Sequence, residues 1–437
     1  MRKVLFIAHF FPPIGGAGVQ RPVKFVKHLS SFGLDPVVLT EEAQPGSRWK
    51  PEDLSLLADI RSETVVHRTV WSVPPPGSPP RTIREARYAA YLDAGAHLIQ
   101  THRPDVIFVT MSPFGDARIA AALAHQFRIP WVADLRDPWA LDEVQIYRSR
   151  WHRRRERLLM QHSLASAASI ILNTPEAATR FRQSFPQLAE RARVSITNGY
   201  DVEDFRGPTP SNSPTQFTII HSGYLHTDIG LHQCRNWWLY QCLGRIEKGI
   251  EILPRSHFYL MQALERWLQE DPTIHNTVRL VLIGVTSRAD RELVHNSSAR
   301  ELVEFIGYQP HAECVRRIET ADVLFLPMHH VPMNRRATIV PGKTYEYMAS
   351  RRPIVAAVPE GDARDFLADC GTARLCYPKD VSGLLAALKA SYQDWKEKAD
   401  LAQRWNREAV ERFERRQLTR LLADELTSVI HQATTAA

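Results

Sequence analysis

The stretch KVLFIAHFFPPIGGAGVQRPVKFVKHLSSFGLDPVVLT, residues 3–40, decides the fold. Residues 3–8 form an apolar run of the length of a buried strand. The run gives way to His9, Pro12 and Pro13, and then to Gly15, Gly16 and Gly18. Beyond Val19, the apolar residues Val23, Val26 and Leu29 recur at helical spacing with Phe25 beside them, and Gly33 is a helix stop. Residues 36–40 read as the next strand. Strand, glycine loop, helix, strand is the opening of a doubly wound α/β domain. The loop is neither GxGxxG nor GxxxxGK[ST]. Gly15 and Gly16 either admit a ligand to the backbone at the strand's carboxyl end or supply a turn with positive φ. The residues alone leave both readings open.

The same rhythm continues outward. Strands are expected at 65–70, 105–110, 129–133 and 169–173, with helices over 84–102 and from 112–115 to about 127. A second series opens at 217–221 and continues through 279–284, 303–307, 321–327, 354–358 and 372–377. Residues 74–80 are proline-rich and read as a surface loop, and residues 206–214 (RGPTPSNSP) have linker composition. The expected organisation is a first domain over 1–205, a linker over 206–214, a second domain over 215–410 and a helical segment over 411–437.

With 437 residues, 44% hydrophobic and 24% charged, the chain has ample material for two cores. No apolar run is long enough to span a bilayer, and the N-terminal run reads as a first strand rather than a signal peptide. The five cysteines form no metal-ligand pattern, and their scatter fits a reducing cytoplasm. A net charge of +7 permits nucleic acid, anionic membrane or phosphorylated ligands. Nucleic acid ranks last, because no zinc-finger, RNA-recognition or helix-turn-helix signature is present.

Candidate chemistry concentrates at 340–358, VPGKTYEYMASRRPIVAAV. Pro341 and Gly342 are helix-start punctuation, and the final apolar run is a buried strand. Lys343 and Glu346 share a helix face near the N-terminus, an end that suits an anion. The lysine adds a full charge for a phosphate, and the carboxylate can accept hydrogen bonds from the vicinal hydroxyls of a ribose. An exposed helical ion pair worth about 0.2–0.5 kcal/mol is the competing reading. At 129–139, a strand ends in Asp134, Arg136 and Asp137, where α/β domains place ligand chemistry. Asp137 would position an acceptor hydroxyl or act as a base, with Arg136 clamping an anion; a salt bridge and turn is the alternative. Residues 148–157 are the densest basic run and continue into an amphipathic helix. That face is either simply solvated or a patch for anionic lipid head groups or a lipid-diphosphate acceptor. Residues 225–254, which include Trp237 and Trp238, read as one inserted amphipathic helix carrying Leu231, Cys234, Trp238, Cys242, Ile246 and Ile250 on a stripe. It would pack on the second domain, cover an acceptor or touch a membrane. His329 and His330 lack a third ligand at metal spacing and read as loop or phosphate contacts.

The string PGKxYEYMAxxRPI resembles the nucleotide-sugar helix of family-4 glycosyltransferases, retaining enzymes with the two-domain GT-B fold. FFPPIGG at 10–16 after the first strand, ADLRDPW at 133–139, NGYDVEDF at 198–205, SGY at 222–224 and GY at 307–308 are similar to further elements of that family. The resemblance covers most of the chain and lapses over 225–254. It implies two Rossmann-like doubly wound domains facing across a cleft, an acceptor domain first and a nucleotide-sugar donor domain second, with the last helix returning to the first. The implied reaction moves a sugar from a nucleotide diphosphate donor to a hydroxyl acceptor with retention, in cell-surface polysaccharide or glycoconjugate biosynthesis. Lys343 would stabilise the departing diphosphate and Glu346 would hold the ribose. Gly15, Gly16, Gly223, Arg255, Tyr308 and Gly342 complete the donor-binding set, with Tyr308 lining the base pocket. Asp137 and Lys343 are the catalytic candidates, and Arg136 and Asp137 the acceptor-binding ones.

Two positions depart from the pattern. Many relatives place a second glutamate eight residues before the helical one, where this chain has Thr338. The histidine that many relatives carry after the DVI strand is replaced by Ser112-Pro113-Phe114. There is no Asp-x-Asp motif, so neither a bridging metal nor a cofactor beyond the nucleotide sugar is expected. The acceptor reads as a glycan, a lipid-linked molecule or a small molecule, with an anionic membrane at the cytoplasmic face as a further partner. A non-hydrolysing nucleotide-sugar epimerase of the same fold and a catalytically silent scaffold are the alternatives.

Overall fold

The computed structural model describes residues 1–42, 52–71, 79–205, 215–399 and 401–436. The expected linker at 206–214 and most of the proline-rich loop at 74–80 lie outside them. The chain divides into two compact units, one of Met1–Leu141, Arg155–Asn198 and Arg415–Ala437, the other of Asp142–Arg154 and Gly199–Glu414.

The first unit carries strands β1 (Arg2–Ala8), β2 (Leu34–Glu41), β3 (Val65–Thr69), β4 (Val106–Met111), β5 (Trp131–Leu135) and β6 (Ser169–Leu172). They form one six-stranded sheet in the order β3-β2-β1-β4-β5-β6, parallel throughout. A parallel sheet must be covered on both faces, which is why these strands are continuous apolar runs rather than alternating ones. The C-terminal helix Arg415–Ala436 supplies part of that cover. Its Leu418, Leu422, Leu426, Val429 and Ile430 pack with Val4, Phe6 and Phe108 of β1 and β4.

The second unit repeats the plan with β7 (Phe217–Ser222), β8 (Val278–Ile283), β9 (Val303–Gly307), β10 (Val323–Pro327), β11 (Ile354–Ala357) and β12 (Ala373–Cys376). Its order, β12-β11-β10-β7-β8-β9, is the same doubly wound arrangement. In each sheet the winding reverses beside the first strand, between β1 and β4 and between β7 and β10. Ligands of open α/β sheets bind at the strand carboxyl ends at this reversal.

The inserted stretch departs from the single helix expected. It forms two short helices, Thr227–Arg235 and Trp237–Cys242, broken at Asn236 (φ −113°), and then turns at Gly244 (φ +58°) and Gly249 (φ +80°). Cys234, Trp238 and Cys242 are exposed, while Ile246 and Ile250 are buried, so the six residues form no common stripe. The insert is nonetheless tied to its unit. The buried Gln233 donates from Nε2 to the Ile250 carbonyl (2.7 Å) and accepts from the Ile252 amide at Oε1 (2.8 Å). The region after residue 395 is likewise broken, into helices Arg407–Glu411 and Arg415–Ala436. Asn406 caps the first of these by accepting from the Ala409 amide.

Candidate functional site

In the second unit the predicted residues converge at the β7/β10 reversal. The helix Lys343–Ala349 is seven residues long and lies against the end of β7. Tyr347, one turn beyond Lys343, accepts from the Ser222 amide at its hydroxyl (2.8 Å) and so fixes helix to strand. At the same edge the Lys343 ammonium lies 3.1 Å from His221 Nε2. The other ring nitrogen of His221, Nδ1, is 3.0 Å from the Phe325 carbonyl of β10. A carbonyl can only accept, so Nδ1 carries the hydrogen and Nε2 turns a lone pair to the lysine. Burial, with the neighbouring lysine adding to it, holds His221 well below the ordinary histidine range, which keeps the ring neutral.

Gly223 makes this seat possible. Its φ is +99°, and a Cβ built there would lie 2.9 Å from Lys343 Nζ. The lysine side chain therefore crosses bare backbone. Burial pushes its ammonium down to about 7, and the positive charge of Arg255 adds to the effect. Arg255 thus shares the electrostatic neighbourhood of Lys343 despite the insertion that precedes it. Gly342 stands at the N-cap with open space where a Cβ would project. The helix amides contribute less than the sequence implied, because those of Thr344 and Tyr345 already bond the Pro341 and Gly342 carbonyls. Glu346 Oε1 lies 3.0 Å from His311 Nε2. Tyr308 follows β9 and is partly buried at the same carboxyl edge. Beside this group the Cys314 thiol is pushed up to about 12 by burial, which keeps it protonated and unreactive.

Thr338 is buried and is met by a carboxylate from elsewhere in the chain. Glu143 accepts from the Thr338 amide (2.9 Å) and from its hydroxyl, and lies 3.2 Å from His329 Nε2. His329 is fully buried, so it is no surface phosphate contact. His330 instead exchanges backbone hydrogen bonds with Glu251 (2.8 and 3.1 Å).

In the first unit, Gly15 and Gly16 follow β1, and Gly16 (φ +91°) opens the helix Ala17–Leu29. Asp134 is fully buried, gripped by Arg21 through Nε (3.0 Å) and Nη2 (2.7 Å), and accepts from Thr110 (2.8 Å). Its role is structural. Arg136, expected as an anion clamp, is turned to backbone carbonyls. Its Nε and Nη2 donate to the Met111 and Ser112 carbonyls (both 3.1 Å) and its Nη1 to that of Gly18, bracing the glycine loop against the loop after β4. Asp137, immediately beyond, is exposed at the end of β5. The same edge holds a charged cluster around His9. Arg87 bridges Asp116 (2.7 Å) and Glu41 (3.2 Å), and His9 Nδ1 lies 3.1 Å from Glu41.

Residues 15–199 match the glycosyl transferase 4-like domain, and residues 242–394 match the glycosyl transferases group 1 domain. The chain is a GT-B glycosyltransferase. No curated protein sequence matches it. The glycosyltransferase is similar over 100% of its length to 100% of sucrose-phosphate synthase from Thermosynechococcus elongatus, with a TM-score of 0.66 at 14% identity. It resembles Anabaena HepE, solved in complex with UDP-glucose, over 98% of this chain and 100% of that one (TM-score 0.62, 16% identity). The UDP-GlcNAc 2-epimerase of Neisseria meningitidis, bound to UDP-GlcNAc, aligns with 98% of this chain over 100% of its own (TM-score 0.55, 11% identity). At these identities the likeness is one of fold.

Three partners of the glycosyltransferase's site residues escaped the sequence reading: His221, His311 and Glu143. His221 left a signal, a lone polar ring ending an apolar strand just before Ser222-Gly223. Glu143 left none, since it stands 195 residues from the threonine it holds.

Proposed function

We propose that the second unit binds a nucleotide diphosphate sugar at Lys343 and that the enzyme transfers the sugar to an acceptor hydroxyl with retention of configuration. The observation that carries this reading is the lysine itself, seated on His221 across Gly223 at the sheet's reversal, with Arg255 in its electrostatic neighbourhood. In the reaction the bond from the anomeric carbon to the diphosphate oxygen breaks, and a bond to the acceptor oxygen forms. The acceptor loses its hydroxyl proton, and the departing diphosphate gains a negative charge. A lysine whose ammonium is discouraged by burial regains its proton beside that anion, where fixed positive charge is most effective. Arg255 adds to it, so side chains take the neutralising role a bridging metal would have. Glu346 holds the ribose, Tyr308 flanks the base, and Gly342 leaves room for the phosphates. The exposed Asp137 of the first unit positions the acceptor or takes its proton. The presence of both Lys343 and Glu346 supports a reading of the chain as a member of the subgroup with the PGKxYEYMA helix. HepE, solved with UDP and with UDP-glucose, supports UDP-sugars as the first donors to try.

Thermal unfolding with a panel of nucleoside diphosphates tests the reading. Saturation at about 100 times Kd adds about 2.7 kcal/mol, a shift of several degrees. The shift should appear with one base and vanish in Lys343→Ala and Glu346→Ala. If no nucleotide moves the transition, the donor site is misplaced. Incubating the responsive donor sugar without acceptor separates the epimerase alternative, which would convert the sugar alone.

A further inference from the structure

Two sequence features that the transfer reaction leaves unused meet on the surface of the second unit. The first is the basic start of the helix Arg150–Leu164, and the second is the short helix Trp237–Cys242. The Arg150 amide donates to the Leu243 carbonyl (2.8 Å), the Tyr147 amide to that of Arg245 (2.7 Å), and Arg153 Nη2 to that of Gly244 (3.0 Å). A Cβ on Gly244 would lie 3.0 Å from that of Arg150, so the two segments are in close contact.

What this junction shows to solvent is unusual for a globular surface. Trp238 is 74% exposed and Trp151 67%, with Trp237, Leu239 and Leu243 also exposed. On the same two segments Arg148, Arg150, Arg154, Arg235 and Lys248 are exposed. Two acids of these segments are engaged elsewhere, Glu143 buried on Thr338 and Glu247 paired with Arg335. Exposed tryptophans share these two segments with exposed arginines. They match the polar–apolar boundary of a bilayer, where indole rings sit at head-group depth and long basic side chains reach the phosphates.

We propose that this face docks on a lipid bilayer bearing anionic head groups. Trp151, Trp237 and Trp238 enter the interface, and Arg148, Arg150 and Arg154 bind lipid phosphates. Charge complementarity selects a membrane over a protein groove, since exposed basic and apolar side chains share two segments bonded to each other. The proposal does not depend on the donor reading.

The test is flotation of the full chain with vesicles of phosphatidylcholine alone and of phosphatidylcholine mixed with phosphatidylglycerol. Binding is expected to the anionic vesicles, weakening as salt rises. Trp238→Ser should reduce it about tenfold, and Arg148→Ala about fivefold, with a further fivefold for Arg154→Ala. Arg288→Ala, an exposed charge elsewhere on the unit, should leave it unchanged, and circular dichroism with thermal unfolding should show all variants folded. Absence of binding to the anionic vesicles overturns the proposal. So does equal weakening by Arg288→Ala, which would assign binding to overall charge. A dimer in buffer that Trp238→Ser dissolves, without vesicle binding, overturns it in favour of a second copy of the chain.

Discussion

Raising the pH should weaken donor binding through Lys343 alone. Its ammonium is held at about 7, by burial first and by Arg255 second. About half of the free protein therefore carries the charge at pH 7, and about one molecule in a hundred at pH 9. A bound diphosphate favours the charged form, so binding at high pH must take up a proton. Affinity for a nucleotide sugar, whose diphosphate does not itself titrate in this range, should fall about tenfold per pH unit, or about fiftyfold from pH 7 to pH 9. Isothermal titration calorimetry in two buffers of different ionisation enthalpy should register uptake of close to one proton at pH 9. Lys343→Arg keeps its charge throughout, so whatever its affinity, the pH dependence should flatten. The same shift has a sign for stability. Between about 7 and the ordinary 10.5 the unfolded chain holds the lysine proton and the folded one does not, so the ligand-free protein gains stability as pH rises through that window. A wild-type affinity that changes less than about threefold from pH 7 to pH 9 would refute the reasoning, as would a Lys343→Arg variant with the wild-type slope.

Other substitutions probe the scaffold around this lysine. Gly223→Ala places a methyl 2.9 Å from Lys343 Nζ on a backbone with φ +99°; it should cost about 1–3 kcal/mol and most of the donor affinity, measured by denaturant unfolding and calorimetry. Glu143→Ala strands the buried Thr338 amide and His329 ring, and should destabilise by about 3 kcal/mol or more, with Glu143→Gln milder in the same urea titration. Asp137→Asn alters an exposed carboxylate with little structural duty. It should leave the unfolding midpoint in place while turnover drops by about 100-fold, and unchanged turnover would remove Asp137 from the chemistry.

The α/β plan was legible because parallel strands are buried on both faces, and runs such as those of β1, β4 and β10 announce themselves without context. The Lys343–Glu346 spacing was legible for a similar local reason, since helical geometry puts the two on one face. What they touch was not. Lys343 meets His221 across 122 residues, and only the β7/β10 juxtaposition brings them together. Arg136 shows a further limit: a cation at a strand end looks available for a ligand, and nothing local reveals that three of its donors bond backbone carbonyls. The insert misled for a third reason. Its apolar period runs smoothly past Asn236, but periodicity does not register where the backbone leaves the helix.

The placement of residues 142–154 bears on how such a chain could ever be cut or recombined. A break at the linker would seem to release two independent modules, yet each module's core is completed by sequence lying beyond that break. A fragment ending near 205 would bare the strips of β1 and β4 that Leu418, Leu422, Leu426, Val429 and Ile430 cover. A fragment starting near 215 would lose Glu143, along with the backbone bonds from Tyr147 and Arg150 that hold the tryptophan-bearing turn. Donor specificity in this protein is therefore poorly suited to exchange by swapping whole halves. Transplants that respect four crossover points, after residues 141, 154, 198 and 414, are the ones that should fold.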